Sequence, residues 1–317
     1  MKSEFSDSKV MDPGTVIDGR FELIALIDFS AVSQIYAARS LSMERNVWLK
    51  TVSPDFSHDS SYFENFQLQA RVHAAAAHKN VARLHEFFVH DRNPFLVLEY
   101  LEGKKLSEFL SDSEALPFQL ILPVLIQICE ALDAAHRKGV IHRQLKADCI
   151  FLSTNKSDCE FVKIIDFESA QFQSASRKGE FYVPLQLADK DDCYLAPEQI
   201  LGRTLDQRAD VFALGALIYQ ILSGRAAFDG REMKRVLREH DFLRPKKFKD
   251  LRPDLEIPQV LEDLVFKALE ARPADRFASM TEMKQALIFA LGSASAAGMQ
   301  SFFEQARRLL LEADKNL

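Results

Sequence analysis

Apolar and polar residues alternate in short runs over the first hundred positions of the chain. Such runs, separated by a few polar residues, are typical of consecutive β-strands. They lie at residues 20–27, 33–39, 46–52, 81–89 and 94–100. Between the third and fourth runs, residues 61–78 repeat apolar side chains at steps of three or four, which predicts a helix. The first part of the chain is therefore predicted to be a sheet with one helix.

The pattern beyond residue 101 is mainly helical. Residues 106–110 and 117–138 have helical periodicity, and Gly139 suits the left-handed position that ends many helices. The longest apolar run, 211–222, is shorter than the roughly 20 residues that cross a bilayer. It is expected to be a buried core helix, without membrane insertion. The two parts together predict an α+β protein.

Composition and charge limit the class of protein and the kind of partner that the chain is expected to have. The chain has 317 residues, 47% apolar and 27% charged, as expected of an ordinary globular protein of about two domains. Its formal net charge of -6 argues against nucleic acid as a partner, and the basic cluster at 244–252 is expected to be a solvated loop. The four cysteines contain no C-x-x-C pair, and residues 1–11 are too polar for a secretory signal. A cytoplasmic protein with reduced thiols is expected.

Candidate chemistry is concentrated at residues 140–152 and 162–168, where two β-rich runs flank a polar tip. The sequences V-I-H-R-Q-L-K-A-D-C and I-D-F-E resemble two motifs of eukaryotic-type protein kinases. These motifs are the catalytic loop H-R-D-L-K-x-x-N and the metal-binding loop D-F-G. Within that family, the chain most resembles the bacterial serine/threonine kinases. Three positions depart from that pattern. Gln144 stands at the catalytic Asp, Cys149 at the second metal-binding Asn, and Glu168 at the Gly.

The resemblance also covers the turn that closes over ATP phosphates in kinases. The three glycine positions of that turn hold Asp28, Ser30 and Ser33, so a plain hairpin loop is expected. Lys50 is kept at the position that pairs with the phosphates. Trp48 replaces the usual small residue on the same strand face, where its indole is expected to fill the adenine volume.

Two further nucleotide-pocket positions are implied by the resemblance. Gln69 falls at the Glu of the regulatory helix, which in active kinases pairs with the strand Lys. A neutral amide can accept a hydrogen bond from Lys50 but supplies no charge. Glu99 and Leu101 lie in the stretch that resembles the hinge between two lobes.

A second group of matching residues holds the kinase fold together rather than handling phosphate. In the family these residues orient loops and pair helices, and the resemblance predicts an ion pair between Arg276 and Glu198. The group comprises His142, Arg143, Glu198, Asp210 and Arg276.

The resemblance implies a bilobal protein-kinase-like fold, with a small β-rich N-lobe carrying one regulatory helix and a larger α-helical C-lobe. The predicted divisions are a flexible leader at 1–14, the N-lobe at 15–101, the C-lobe at 102–291, and a linker with an amphipathic helix at 292–317. This last helix is expected to pack on its own domain. Partner binding or formation of a homo-oligomer through it is the alternative.

The replaced positions are mostly those that bind or transfer phosphate, which favours a pseudokinase acting as a protein-binding scaffold or allosteric signalling module. Binding of ATP and Mg²⁺ is expected to be weak or absent, and Asp166 is the main metal ligand that survives. Two alternatives use Lys50 and Asp166: an ATP-binding transferase of altered chemistry, or a weak serine/threonine kinase. In the second, Asp148 or Glu168 would accept the proton. Glu168 would also add a carboxylate near the metal.

Overall fold

A computed structural model of the protein describes ten stretches of the chain. They are residues 10–30, 32–56, 60–112, 118–153, 162–167, 169–173, 193–238, 244–251, 253 and 257–290. The predictions for Glu168, for most of the leader and for the segment 292–317 lie outside these residues. The chain divides into two compact units, Met1–Ala77 with Ala82–Leu101, and His78–Val81 with Glu102–Leu317.

The first unit is a six-stranded sheet with one helix. Its strands and helix are β1 (Val16–Ile17), β2 (Phe21–Phe29), β3 (Ser33–Ser40), β4 (Arg45–Val52), α1 (Ser60–Ala75), β5 (Leu84–His90) and β6 (Asn93–Glu99). All pairs are antiparallel, in the spatial order β1-β2-β3-β4-β6-β5. Val47 and Leu49 face the apolar cluster of this sheet. Because side chains alternate along a strand, Trp48 and Lys50 lie on its opposite face.

The second unit is mainly helical. Its elements are β7 (Gly103–Lys105), α2 (Leu106–Asp112), α3 (Phe118–Arg137), β8 (Val140–Ile141), β9 (Ile150–Ser153), β10 (Val162–Ile164), β11 (Gln171–Phe172), α4 (Pro197–Ile200), α5 (Arg208–Ser223), α6 (Gly230–Arg238), α7 (Phe248–Leu251), α8 (Gln259–Ala268) and α9 (Met280–Ala290). The sheets β10-β9-β7 and β11-β8 frame the polar tip between residues 141 and 150. The α+β class predicted from the sequence is confirmed.

Helix α5 lies at the centre of the second unit. Nearly all its residues are buried, and Gly224 ends it in the left-handed conformation (φ 70°) while donating its N–H to Gln220. This burial agrees with the core helix predicted at 211–222. Among the described residues, no helix is both long enough and apolar enough to cross a membrane.

The helix predicted at 61–78 is three residues too long. It ends at Ala75, and the following segment His78–Val81 belongs to the second unit. Asn80 is buried there, where its side-chain amide donates to Gln127 (2.7 Å) and to the carbonyl of Val162 (2.9 Å). These contacts, which periodicity cannot reveal, fix the chain in a non-helical course.

Helices α5 and α8 approach closely at Gly215. A Cβ at this position would stand 2.8 Å from the Cβ of Ala268. We expect Gly215→Ala to lower the free energy of unfolding by about 1–3 kcal/mol, because one helix must shift to relieve the overlap. Urea denaturation of Gly215→Ala, Ala268→Gly and the double variant tests this. The double variant should recover part of the loss, whereas a Gly215→Ala protein as stable as wild type would contradict the close packing.

Candidate active site

A buried carboxylate holds the catalytic-loop region in place. Asp210, in the first turn of α5, accepts the backbone N–H of His142 (2.9 Å) and of Arg143 (2.8 Å), and His136 Nε2 lies 2.7 Å from it. Burial alone would raise the pKa of Asp210. The hydrogen bond and positive potential from His136, with the hydrogen bond from the His142 N–H, outweigh burial, so the pKa of Asp210 lies below the ordinary value. The charged form of Asp210 is thus the one that fixes the loop.

The loop needs this support because Arg143 adopts a left-handed backbone (φ 70°). Such a conformation costs a residue with a Cβ about 1–2 kcal/mol. Besides its N–H bond to Asp210, the Arg143 carbonyl accepts from Gln199 Nε2 (2.8 Å), and its guanidinium donates to the carbonyl of Ser169 (3.2 Å) and to Gln171 Oε1 (3.0 Å). Arg143 therefore ties the loop to the segment that follows Asp166.

Gln144, which the resemblance places at the catalytic Asp position, makes a second contact with that segment. Its side-chain Oε1 accepts a hydrogen bond from the hydroxyl of Ser169 at 2.6 Å. A carboxamide cannot take a proton at neutral pH. The side chain at the position of the proton acceptor is therefore neutral and engaged with Ser169.

Cys149, which the resemblance places at the second metal-binding Asn, is a buried thiol. Its Sγ–H donates to the carbonyl of Gln144 at 3.3 Å. Burial raises the pKa of Cys149 well above its ordinary value, and the negative charge of Asp166 raises it further. The thiol stays protonated, so it is neither a nucleophile nor a thiolate ligand.

The remaining carboxylates of this region have different surroundings. Asp148, the first alternative proton acceptor, accepts a hydrogen bond from the Ser107 hydroxyl (2.7 Å) at the start of α2.

Asp166 is half-buried in a left-handed conformation (φ 65°), which Asp tolerates better than most residues. Phe167 packs against His142 with ring centroids 4.8 Å apart. In the described part of the chain, no three His, Cys, Asp or Glu side chains are grouped as a metal site.

The ion pair expected between Arg276 and Glu198 is present and buried. Two guanidinium nitrogens bind the two carboxylate oxygens at 2.7 and 2.8 Å. Arg276 also donates to three backbone carbonyls and lies over the ring of Phe212, 4.9 Å from its centroid. With all its donors engaged in a fixed fork, Arg276 fastens α4 to the loop before α9.

In the first unit, the turn at the glycine positions bonds to itself. Ser30 donates its N–H to the carbonyl of Ser33 (2.8 Å), and its hydroxyl oxygen accepts the N–H groups of Val32 (3.3 Å) and Ser33 (3.0 Å). Asp28 accepts the N–H of Phe29 at 2.9 Å. Among the described residues of this turn, the N–H groups of Phe29, Ser30, Val32 and Ser33 are thus already paired within it.

Trp48 and Lys50 lie side by side on β4, and both are buried. The cross-strand neighbours of Trp48 are Ala37 on β3 and Leu98 on β6. The indole therefore packs between apolar side chains of adjacent strands.

Three other predicted pocket residues lie in the same unit. Gln69 is half-buried on α1, and Leu101 is buried at the end of the unit. Glu99, at the end of β6, accepts the backbone N–H of Arg83 at 3.0 Å. Glu99 thus has a structural contact within its own sheet.

Sequence reasoning missed four polar residues that fix the catalytic loop: Ser107, Ser169, Gln171 and Gln199. None of them belongs to a catalytic motif. The one signal in the sequence was Gln144 itself, because an amide side chain between two buried strands is expected to have polar hydrogen-bond partners.

The sequence is similar to known protein kinases over most of its length. The family model described as protein kinase domain matches residues 24–288. The serine/threonine-protein kinase Pkn1 of Myxococcus xanthus is 30% identical over 273 residues, 86% of this chain and 38% of that protein. PknB of Mycolicibacterium smegmatis is 28% identical over 86% of this chain and 43% of its own. The chain thus spans less than half the length of these relatives.

Crystal structures of a kinase domain are among the solved structures that match. The crystal structure of the Mycobacterium tuberculosis PknI kinase domain has a TM-score of 0.69 at 24% identity, covering 90% of this chain and 100% of that one. At this identity the likeness concerns the fold alone. The kinase-like fold expected from the sequence is confirmed.

His142 gives the site a predicted pH dependence. Burial lowers the pKa of its imidazole below the ordinary value of 6.5, against the attraction of Asp210 and Asp166. As the pH falls through about 6.5, the unfolded chain binds a proton that the folded chain does not, so stability falls. Between about pH 7.5 and 5.5, we expect the free energy of unfolding of wild type to fall more steeply than that of His142→Gln, by up to about 1.4 kcal/mol per pH unit.

Urea denaturation at several pH values measures the two slopes. The lowered pKa of Asp210 adds its own loss of stability only at more acidic pH, below about 4, outside this range. Equal slopes for wild type and His142→Gln would contradict a buried neutral His142.

Proposed function

Because the chain belongs to the protein kinase domain family, we propose that it is a kinase homologue without effective phosphotransfer, acting as a protein-binding scaffold or allosteric signalling module. The observation that carries this proposal is the contact between Gln144 and Ser169. A positioned proton acceptor contributes roughly 10²–10⁴ in rate. The Gln144 amide cannot supply that factor, and its oxygen is engaged with a neighbouring hydroxyl.

The proposal includes weak or absent binding of ATP and Mg²⁺. It is supported by the turn at Ser30 and Ser33, whose amide groups are paired within the turn rather than directed outward. It is also supported by Trp48, which supplies a buried indole where the family usually has a small side chain. Cys149 adds to this, since a protonated thiol is a poor ligand for magnesium, which prefers oxygen.

A scaffold of this kind acts through proteins. The proposed partners are other proteins rather than nucleic acid, in keeping with the net charge of -6, and no insertion into a membrane is proposed. A homo-oligomer formed through residues beyond 292 is a second proposed mode of association. The proposed location is the cytoplasm.

A weak serine/threonine kinase, or a transferase of altered chemistry, is the second candidate. It is favoured by Lys50, kept and buried on β4, and by Asp166, kept after β10. The relatives Pkn1 and PknB are named serine/threonine-protein kinases. Asp148 is a poor choice as its proton acceptor because Ser107 already binds it.

Nucleotide binding is tested by thermal shift with ATP and ADP, each with and without Mg²⁺ or Mn²⁺, on wild type and Trp48→Ala. A ligand that binds only the folded state raises Tm by mass action. We expect no shift for wild type and a clear shift for Trp48→Ala, because removal of the indole opens adenine-sized volume. A strong metal-dependent shift in wild type would contradict the proposal and favour the second candidate.

Phosphotransfer is tested separately with radiolabelled ATP and dephosphorylated casein, comparing wild type with Asp166→Asn. Asn fits the left-handed backbone at residue 166, so the variant should fold. We expect incorporation by wild type to be no higher than by Asp166→Asn. Incorporation that Asp166→Asn reduces tenfold or more would identify a working kinase and refute the loss of catalysis.

A further inference from the structure

A strongly basic segment lies outside the candidate active site. Between residues 231 and 252 there are nine Lys or Arg and four Asp or Glu, in a chain whose net charge is -6. The cations at its centre are Arg244, Lys246, Lys247 and Lys249, which we call the basic strip. The described structure gives this strip properties that an ordinary solvated loop lacks.

The backbone of the basic strip is held in place by residues of α5 and α8. Phe248, within it, is 2% exposed and packs on the ring of Tyr219, with centroids 4.9 Å apart. The Phe248 N–H donates to Glu262 Oε1 (3.1 Å), and the Tyr219 hydroxyl donates to the carbonyl of Lys246 (2.8 Å). The four cations therefore extend from a backbone that is fixed to α5 and α8. Because this backbone is already ordered, less conformational entropy is lost when a partner binds to it.

The charges of the basic strip are not neutralised within the described structure. All four side chains are exposed, and none forms an ion pair with a described residue. The nearby carboxylate of Glu262 is directed to the Phe248 N–H instead. Four like charges within six residues repel one another, and a bound anion would relieve that repulsion.

We propose that the basic strip docks an acidic segment of a partner protein. A short run of carboxylates matches its extent, and three of its four cations are lysines, whose point charges pair with carboxylates without requiring a planar geometry. The negative charge of the rest of the chain would repel a long polyanion such as nucleic acid or an anionic membrane. The choice of a protein partner rests on the proposed binding function. The docking proposal can be wrong while the proposed function is right, because a partner that binds elsewhere on the chain would not respond to variants of the basic strip.

The test uses a fluorescein-labelled peptide of repeated Glu-Asp-Gly units and fluorescence anisotropy with the full chain. The strip variant carries Lys246→Glu, Lys247→Glu and Lys249→Glu. The control carries Arg45→Glu, Lys138→Glu and Arg203→Glu, three exposed cations elsewhere with the same change in net charge. Because all these side chains are exposed, Tm should stay close to wild type in both proteins.

We expect the strip variant to bind the peptide at least tenfold more weakly than wild type, and the control variant less than threefold more weakly. Wild-type affinity should fall with added NaCl, as screening predicts. The proposal is overturned if wild type does not bind, if both variants weaken equally, or if oligo-dT or phosphatidylserine vesicles bind wild type more tightly than the peptide.

Discussion

The loop that follows β8 depends on one buried anion. Its backbone presents two consecutive N–H groups, at His142 and Arg143, to the interior, and Arg143 holds a left-handed conformation besides. Buried donors without acceptors cost about 1–3 kcal/mol each. The carboxylate of Asp210 satisfies both and is itself held by His136. Since Asp210 lies on the most buried helix of its unit, the loop is fixed to the centre of the core.

This arrangement separates what holds the fold from what would handle phosphate. The contacts of Asp210 and the Arg276 to Glu198 pair involve none of the replaced positions. Gln144 and Cys149 could therefore replace the family's residues without loosening the frame. They even add to it, because Gln144 binds Ser169 and Cys149 binds the Gln144 carbonyl. Both of these positions, which depart from the kinase motif, therefore carry structural hydrogen bonds within the loop region.

Much of the architecture was predictable because it depends on local patterns. Alternation predicted strands β2 to β6, periodicity predicted α3, and the apolar run at 211–222 predicted α5. The pairing of Arg276 with Glu198 across 78 residues followed instead from the resemblance to protein kinases. The end of α1 was not predictable, since Asn80 is fixed by Gln127 and by the Val162 carbonyl, both distant in sequence.

The partners within the candidate site were also out of reach of the sequence. Ser169 and Gln171 meet Gln144 and Arg143 only because β11 pairs with β8 and brings the two segments together. The self-bonded turn at Ser30 depends on the course of a few backbone atoms. The sequence alone showed that serine replaces glycine there, but not that the Ser30 hydroxyl would accept a backbone N–H of the turn.

Asp210 supports the backbone of the loop by accepting the N–H groups of His142 and Arg143. The most direct measurement is the free energy of unfolding of Asp210→Asn and Asp166→Asn, two isosteric changes of one carboxylate. We expect Asp210→Asn to lose about 2–4 kcal/mol, because its NH₂ must face a buried N–H donor. We expect Asp166→Asn to lose less, because Asp166 is only half-buried and Asn fits its left-handed backbone. Equal losses, or a near-neutral Asp210→Asn, would contradict the account.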